Sequence, residues 1–95
     1  MQEKTLNKIM EEIAELYETR PYLKINDFYV SIGLNYEKDV HVHFSTFGQT
    51  VCRYIMRIAE KYNLEWVIQP HLSIDGDVCV HIYDPKRVLN DCIEE

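Results

Sequence analysis

A hexapeptide that occurs twice constrains the fold of this 95-residue chain more than any other feature. Asp39–Phe44 has the sequence DVHVHF and Asp77–Ile82 has the sequence DVCVHI. Valine at alternate positions is typical of a strand with one buried face. Each copy ends a stretch that has the pattern of helix, strand, turn and strand, which predicts two αββ units at roughly residues 1–45 and 46–84. Two interpretations stay open, a true duplication and a chance likeness between two hairpins.

Two amphipathic helices are predicted from apolar residues that recur at steps of three and four. The first helix lies near the N-terminus and ends near Arg20, because Pro21 disfavours a helical residue before it. The second helix begins near Phe47 and ends near Asn63. Each helix therefore has one apolar stripe to bury. The stripe residues are Leu6, Ile9, Met10, Ile13, Leu16 and Tyr17 in the first helix and Val51, Tyr54, Ile55, Ile58 and Tyr62 in the second.

Four strands are predicted where the spacing of apolar residues changes to two. Tyr36–Asp39 is expected to turn the chain between the first two strands, and Asp75-Gly76 between the last two. In the first strand, Phe28, Val30 and Ile32 are expected to face the core. The predicted strands are Phe28–Asn35, Val40–Ser45, Trp66–Ser73 and Asp77–Tyr83.

These elements predict a single α+β domain over residues 1–95, a two-layer sandwich with both helices on one side of a four-stranded antiparallel sheet. Pro70 lacks the N–H that a ladder needs and Gly33 weakens a strand interior, so the first and third strands suit the edges. The strand order is then 1-2-4-3, which resembles a circularly permuted ferredoxin-like sheet and implies nothing about function. Asp84 and Pro85 suit the start of a short C-terminal helix over residues 85–92.

Composition excludes some classes of protein. The net charge of −6 disfavours direct binding to nucleic acid, because such binding depends on Lys and Arg replacing counterions at phosphates. The sequence has no stretch with the length and apolarity of a membrane span or the apolar segment of a signal peptide. Cys52, Cys79 and Cys92 form no paired framework, so we expect thiols that stay reduced in the cytoplasm.

The side of the sheet away from the helices is expected to be open, and all four histidines of the chain fall on it. A surface rich in aromatic and imidazole side chains predicts a contact site for another protein or for a second copy in a homodimer. The alternative is that the C-terminal segment, with Val88, Leu89 and Ile93, covers part of this side. The residues predicted to bind are Tyr29, His41, His43, Val67, Gln69, His71, His81 and Tyr83.

A metal site is the second hypothesis for the same surface. Two histidines at positions i and i+2 of a strand lie on one face, and Zn²⁺ takes three or four nitrogen or sulfur ligands. The candidate zinc ligands are His41, His43, Cys79 and His81. Apart from this alternative, no cofactor is expected.

A third hypothesis is an acidic protein that imitates nucleic acid and inhibits a nucleic-acid-binding protein. Its carboxylates would be Glu11, Glu12, Glu15 and Glu18 of the first helix and Asp91, Glu94 and Glu95. An enzyme is not expected. The chain has neither a glycine-rich phosphate loop nor an HExxH motif, and Cys79 and His81 lack an evident orienting residue.

Overall fold

The computed structural model describes residues 1–20, 23, 25–33, 36–45 and 49–85, with the backbone alone at 49 and 50. The helix predicted over residues 85–92 lies almost wholly outside this part of the chain. The described elements are α1 (Glu3–Thr19), β1 (Ile25–Ile32), β2 (Lys38–Phe44), α2 (Gln49–Lys61), β3 (Glu65–Pro70) and β4 (Val78–Tyr83).

The four strands form one antiparallel sheet in the order β1-β2-β4-β3, which confirms the predicted order. The edge positions of β1 and β3 agree with the argument from Gly33 and Pro70. The two strands that carry the repeated hexapeptide, β2 and β4, pair at the centre. The duplication of the αββ units and the permuted ferredoxin-like relation stay predictions.

Both helices pack on one side of the sheet, and the core lies between the two layers. Along α1 the predicted stripe is buried at Leu6, Ile9, Ile13 and Leu16, whereas Tyr17 is exposed. The even-numbered residues of the central strands face the helices. Those that are buried are Val40, Val42, Phe44, Val80 and Ile82, and Val78 is half-buried. The fold is therefore α+β, with helices on one side of an open sheet.

Local sequence explains where the helices end. Pro21 follows α1 by two residues, and the N–H of Arg20 still donates to the carbonyl of Leu16 at 3.1 Å. At the end of α2, Asn63 has a positive φ of 56°, and the N–H of Leu64 donates to the carbonyl of Ala59 at 2.9 Å. This is a Schellman ending, in which Asn is tolerated at the left-handed position. Neither of the two described helices is long and apolar enough to cross a membrane.

Several predicted boundaries were wrong. Asp39, placed in a turn by the sequence argument, lies inside β2, and β3 ends at Pro70 instead of Ser73. The chain turns at Asp75 and Gly76, where Gly76 has a φ of 86° that glycine adopts without steric cost. The connection nevertheless runs from residue 71 to residue 77, so it is longer than a two-residue hairpin turn.

The end of β1 differs from the prediction in its burial. Val30 and Ile32 were expected in the core, but they are 37% and 68% exposed. The physical reason is the position of the helices, because α1 packs on β2 and α2 packs on β3 and β4. The helix side of β1 is consequently covered least towards its C-terminal end.

We predict that Val42→Asp destabilises the fold severely, since Val42 is fully buried between sheet and helices. An unpaired charge at such a position costs about 3–5 kcal/mol of unfolding free energy. Urea denaturation would measure the loss, with Val42→Thr as a milder variant that costs about 1–3 kcal/mol.

The matched control is Ile68→Asp on the edge strand β3, where the side chain is exposed. This variant should stay within about 1 kcal/mol of the unsubstituted protein. Equal losses at the two positions would mean that the burial of the central strand and of the edge strand is assigned wrongly.

Candidate functional site

Except for Ile25, which precedes the irregularity in β1, the odd-numbered residues of the strands lie on the side of the sheet away from the helices, and we call this side the histidine face. Residues opposite one another in the ladder form rows across it. One row runs Tyr29, His41, His81 and Val67, and the next runs Asp27, His43, Cys79 and Gln69. The face consists of these eight residues together with Ser31, Asp39, Glu65, Asp77, Tyr83 and, from the β3–β4 connection, His71.

All eight residues predicted to bind lie on the histidine face. The structure brings them together, although it does not test whether they bind anything. The ladder places Tyr29, His41, His81 and Val67 in one row, and it places His43 and Gln69 in the next. Tyr83 lies opposite Glu65, and His71 reaches the face by stacking on His43.

Aromatic rings in the central row stack on one another. The ring centroids of Tyr29 and His41 are 5.1 Å apart at an interplanar angle of 5°, and those of His41 and His81 are 4.3 Å apart at 11°. Tyr83 lies against His81 at 5.4 Å with a tilt of 50°. Because the rings face each other along the sheet, they present their edges to solvent. Edges offer hydrogen-bonding nitrogens, whereas a nucleobase needs a free ring face.

A buried carboxyl group holds the imidazole of His81. Asp39 is 1% exposed, and its Oδ2 lies 3.1 Å from Nε2 of His81. The two groups are close enough for an ion-pair contact, but Nε2 of His81 does not make a hydrogen bond within the described part of the chain, so the contact does not fix which ring nitrogen carries the proton.

A second carboxyl group forms a hydrogen bond with the ring of His43. Oδ2 of Asp77 lies 2.9 Å from Nε2 of His43, and Nδ2 of Asn26 donates to the same Oδ2 at 3.1 Å. Oδ2 of Asp27 lies 3.7 Å from Nδ1 of His43. Asn26 and Asp27 both reach this cluster because the ladder between β1 and β2 is irregular between Ile25 and Asp27.

The two aspartate–histidine contacts are reciprocal in the repeated hexapeptide. Asp39, the first residue of one copy, contacts His81, the fifth residue of the other. Asp77, the first residue of the second copy, contacts His43, the fifth residue of the first. Antiparallel pairing of Val42 with Val80 at the middle of the two copies produces both contacts at once.

His71 fixes the connection that delivers Asp77. Nδ1 of its ring accepts hydrogen bonds from the backbone N–H groups of Ser73 at 3.1 Å and Ile74 at 3.0 Å. The backbone N–H of His71 donates to the carbonyl of Asp77 at 2.9 Å, which closes the loop. The His71 ring also stacks on that of His43 at 4.3 Å. His71 thus supports the His43 cluster and shapes the loop beside it.

Burial and neighbouring charges alter the ionisation of two groups on the face. Burial lowers the pKa of His41, the charge of His81 lowers it further, and Asp39 opposes both effects. Burial raises the pKa of the Cys79 thiol, and the carboxyl groups of Asp27 and Asp77 add to the increase. His41 is therefore neutral and Cys79 is a thiol at neutral pH.

The geometry gives little support to the zinc hypothesis. Of the four candidate ligands, His41 and His81 stack side by side, and His43 is held by Asp77. Across the described residues no group of three or more His, Cys, Asp and Glu side chains is arranged to hold a metal ion. The zinc site stays a prediction without a supporting observation.

The acidic helix of the mimicry hypothesis adjoins a basic one. Glu11, Glu15 and Glu18 are exposed on α1, but Glu12 bonds with Lys61 of α2 at 2.8 Å. A groove of about 260 Å³ between the helices is lined by residues of both signs, among them Glu15, Arg20, Arg57 and Lys61. Asp91, Glu94 and Glu95 lie outside the described residues, as do Val88, Leu89 and Ile93 of the covering segment.

The sequence argument did not name six members of the site, namely Asn26, Asp27, Ser31, Asp39, Glu65 and Asp77. A signal existed for two of them, because Asp39 and Asp77 head the two copies of the hexapeptide. Asp39 was interpreted as a turn residue and Asp77 as the first residue of the fourth strand. Comparison of the chain with protein-family models, with curated proteins and with solved structures found no significant match.

We predict that His41 makes stability depend on pH. A histidine whose pKa is lowered by folding takes up a proton less readily in the folded chain than in the unfolded one. Its contribution is fully present above the ordinary value near 6.5 and is lost as pH falls below it. The free energy of unfolding, measured with urea, should fall more between about pH 7 and about pH 5 in the unsubstituted protein than in His41→Gln. Parallel pH profiles for the two proteins would contradict this assignment.

Proposed function

We propose that the histidine face binds a basic segment of another protein. The observation that carries this proposal is the charge of the face. Its described residues include four carboxyl side chains and no Lys or Arg. The carboxyl groups are those of Asp27, Asp39, Glu65 and Asp77.

The sign of this charge does not depend on how the paired histidines are protonated. Even with a proton on both His43 and His81, the four carboxylates outnumber these two cations. An acidic face selects a partner with Lys or Arg, because complementary potentials speed the encounter and like charges are rejected. Direct binding to RNA is disfavoured for the same reason, and the ring of His41 is stacked on both sides and offers no free face to a base.

The four carboxyl groups have different parts in this proposal. Asp39 and Asp77 point inward and hold His81 and His43 in place. Asp27 and Glu65 are exposed, and they lie at diagonally opposite corners of the face, on the edge strands β1 and β3. The imidazole and phenol edges lie between these corners and supply neutral hydrogen-bonding groups.

The spacing of the two corners suggests the length of the partner segment. Four strands and four residues along each strand place Asp27 and Glu65 about 20 Å apart, from the ordinary dimensions of a sheet. An extended chain covers this distance with about six residues. The segment that fits best therefore carries Lys or Arg near both ends and polar or aromatic residues between them.

A homodimer made by packing two histidine faces together is a weaker candidate. Such a dimer would bring the carboxylates of both copies into one interface with no Lys or Arg from this face to oppose them. The proposed role is binding, without catalysis or a cofactor. The free thiols of Cys52 and Cys79 are consistent with a cytoplasmic location, which we propose on that ground.

Binding of a fluorescein-labelled oligoarginine peptide of about eight residues, followed by fluorescence anisotropy, tests the proposal. The double variant Asp27→Lys/Glu65→Lys should weaken binding by at least about tenfold. The matched control is Glu11→Lys/Glu18→Lys, which makes the same change of net charge at exposed positions on α1.

The control should weaken binding by less than about threefold, a difference of roughly 0.7 kcal/mol. An equal loss in both double variants would mean that the peptide senses net charge alone, and it would contradict a site on the sheet. The absence of binding to the unsubstituted protein would contradict it as well.

A further inference from the structure

The two edges of the sheet differ in how they are protected against pairing with a strand of another chain. Edge strands that must stay unpaired usually contain Lys, Pro or a bulge, or they are short. Strand β3 has six residues and ends in Pro70. Strand β1 has eight residues without Pro, Lys or Arg. Its pairing with β2 is irregular only near its start, between Ile25 and Asp27. From Asp27 to Ile32 the ladder of β1 is regular, and no strand of the described part of the chain pairs with its outer edge.

The second half of β1 exposes apolar side chains on both sides of the sheet. Tyr29 is 49% exposed on the histidine face, and Ile32 is 68% exposed on the helix side, where Val30 is also exposed. The stretch Phe28–Ile32 contains no charged residue. An additional strand that pairs with this edge would cover these side chains and satisfy its free backbone groups.

The same stretch is complementary to itself. Antiparallel pairing centred on Val30 places Val30 opposite Val30 and Phe28 opposite Ile32 of a second copy. Opposed residues in an antiparallel pair lie on the same side of the sheet, so these apolar side chains would meet on the helix side. Tyr29 would lie opposite Ser31 on the other side.

Charge also permits this pairing. In the register centred on Val30, the carboxyl group of Asp27 lies opposite Gly33 of the second copy, so no two acidic residues are opposed. A chain with a net charge of −6 repels a copy of itself in general, and the uncharged stretch is where a copy can approach with least repulsion.

We infer that two copies of this chain pair through β1 and form a continuous eight-stranded sheet with twofold symmetry. A twofold axis that relates antiparallel neighbours is perpendicular to the sheet, so it keeps the helices of both copies on one side. The two histidine faces then lie side by side on the other. This inference is independent of the proposed function, and it concerns the edge of the sheet, whereas the face stays available to another partner.

Sedimentation velocity at about 50 µM tests the inference, because weak dimers with a Kd of micromolar order are populated there. The unsubstituted protein should sediment as a dimer, and Val30→Lys should raise the dissociation constant at least about tenfold by placing a charge at the edge. The matched control is Ile68→Lys, which changes an exposed apolar side chain on the helix side of the other edge strand. It should leave the dimer intact.

Circular dichroism would show that both variants keep the fold. A monomeric unsubstituted protein at about 50 µM would overturn the inference. So would a dimer that Val30→Lys leaves unchanged, or one that Ile68→Lys dissociates to the same extent. A dimer that dissociates with Tyr83→Glu but not with Val30→Lys would assign the interface to the histidine face instead.

Discussion

The pairing of β2 with β4 is the constraint on which the rest of this structure depends. In its register Val42 lies opposite Val80 under the helices, and the same register brings Asp39 to His81 and Asp77 to His43 on the other side. A slip of one residue would turn the valines out of the core. A slip of two residues that opposes Val42 to Ile82 would keep the valines buried, but it would separate both aspartate–histidine pairs. The opposite slip, which opposes Val42 to Val78, would place Asp39 directly opposite His81 and Asp77 directly opposite His43. The polar contacts therefore exclude one of the two slips that the core alone does not distinguish.

This arrangement joins stability to the binding that we propose. Burying the carboxyl group of Asp39 costs free energy of solvation, and its contact with the ring of His81 offsets part of that cost. The imidazoles are stacked with their edges outward. Because these side chains are already ordered, they would lose little conformational entropy on binding a partner. Strands β2 and β4 provide the aspartate–histidine contacts and the stacked imidazoles, whereas the edge strands β1 and β3 provide the exposed features of the sheet. Asp27 and Glu65 lie at opposite corners of the histidine face, and the end of β1 is an edge that no described strand covers.

The sequence predicted the elements and their order because each rests on local evidence. The apolar stripe of α1, the alternation in β2 and β4, and the limits that Pro70 and Gly33 place on central strands are sufficient for the order 1-2-4-3. The exposure of Ile32 could not be predicted, since it depends on where the helices lie over the sheet.

The sequence alone predicted only some of the residues that form the site. Alternation assigned His41, His43 and His81 to one side of the sheet, because direction along a strand is a local property. The partners of these histidines depend on which residues the register opposes. Asp39 was placed in a turn, whereas it lies inside β2 and next to His81. Asn26 reaches the site because the β1–β2 ladder is irregular at this point, and no residue of the sequence predicts that irregularity.

The most direct test of the aspartate–histidine contacts is the tautomeric state of the imidazoles, measured by ¹⁵N–¹H NMR of the histidine rings at neutral pH. In the structure Nε2 of His43 faces Asp77, Nε2 of His81 faces Asp39, and Nδ1 of His71 accepts two backbone hydrogen bonds. The rings of His43 and His71, when neutral, should therefore carry the proton on Nε2. A proton on Nδ1 of His43, or rapid averaging between the two tautomers of that ring, would contradict its contact with Asp77 and with it the account of how the repeated hexapeptides hold the histidine face.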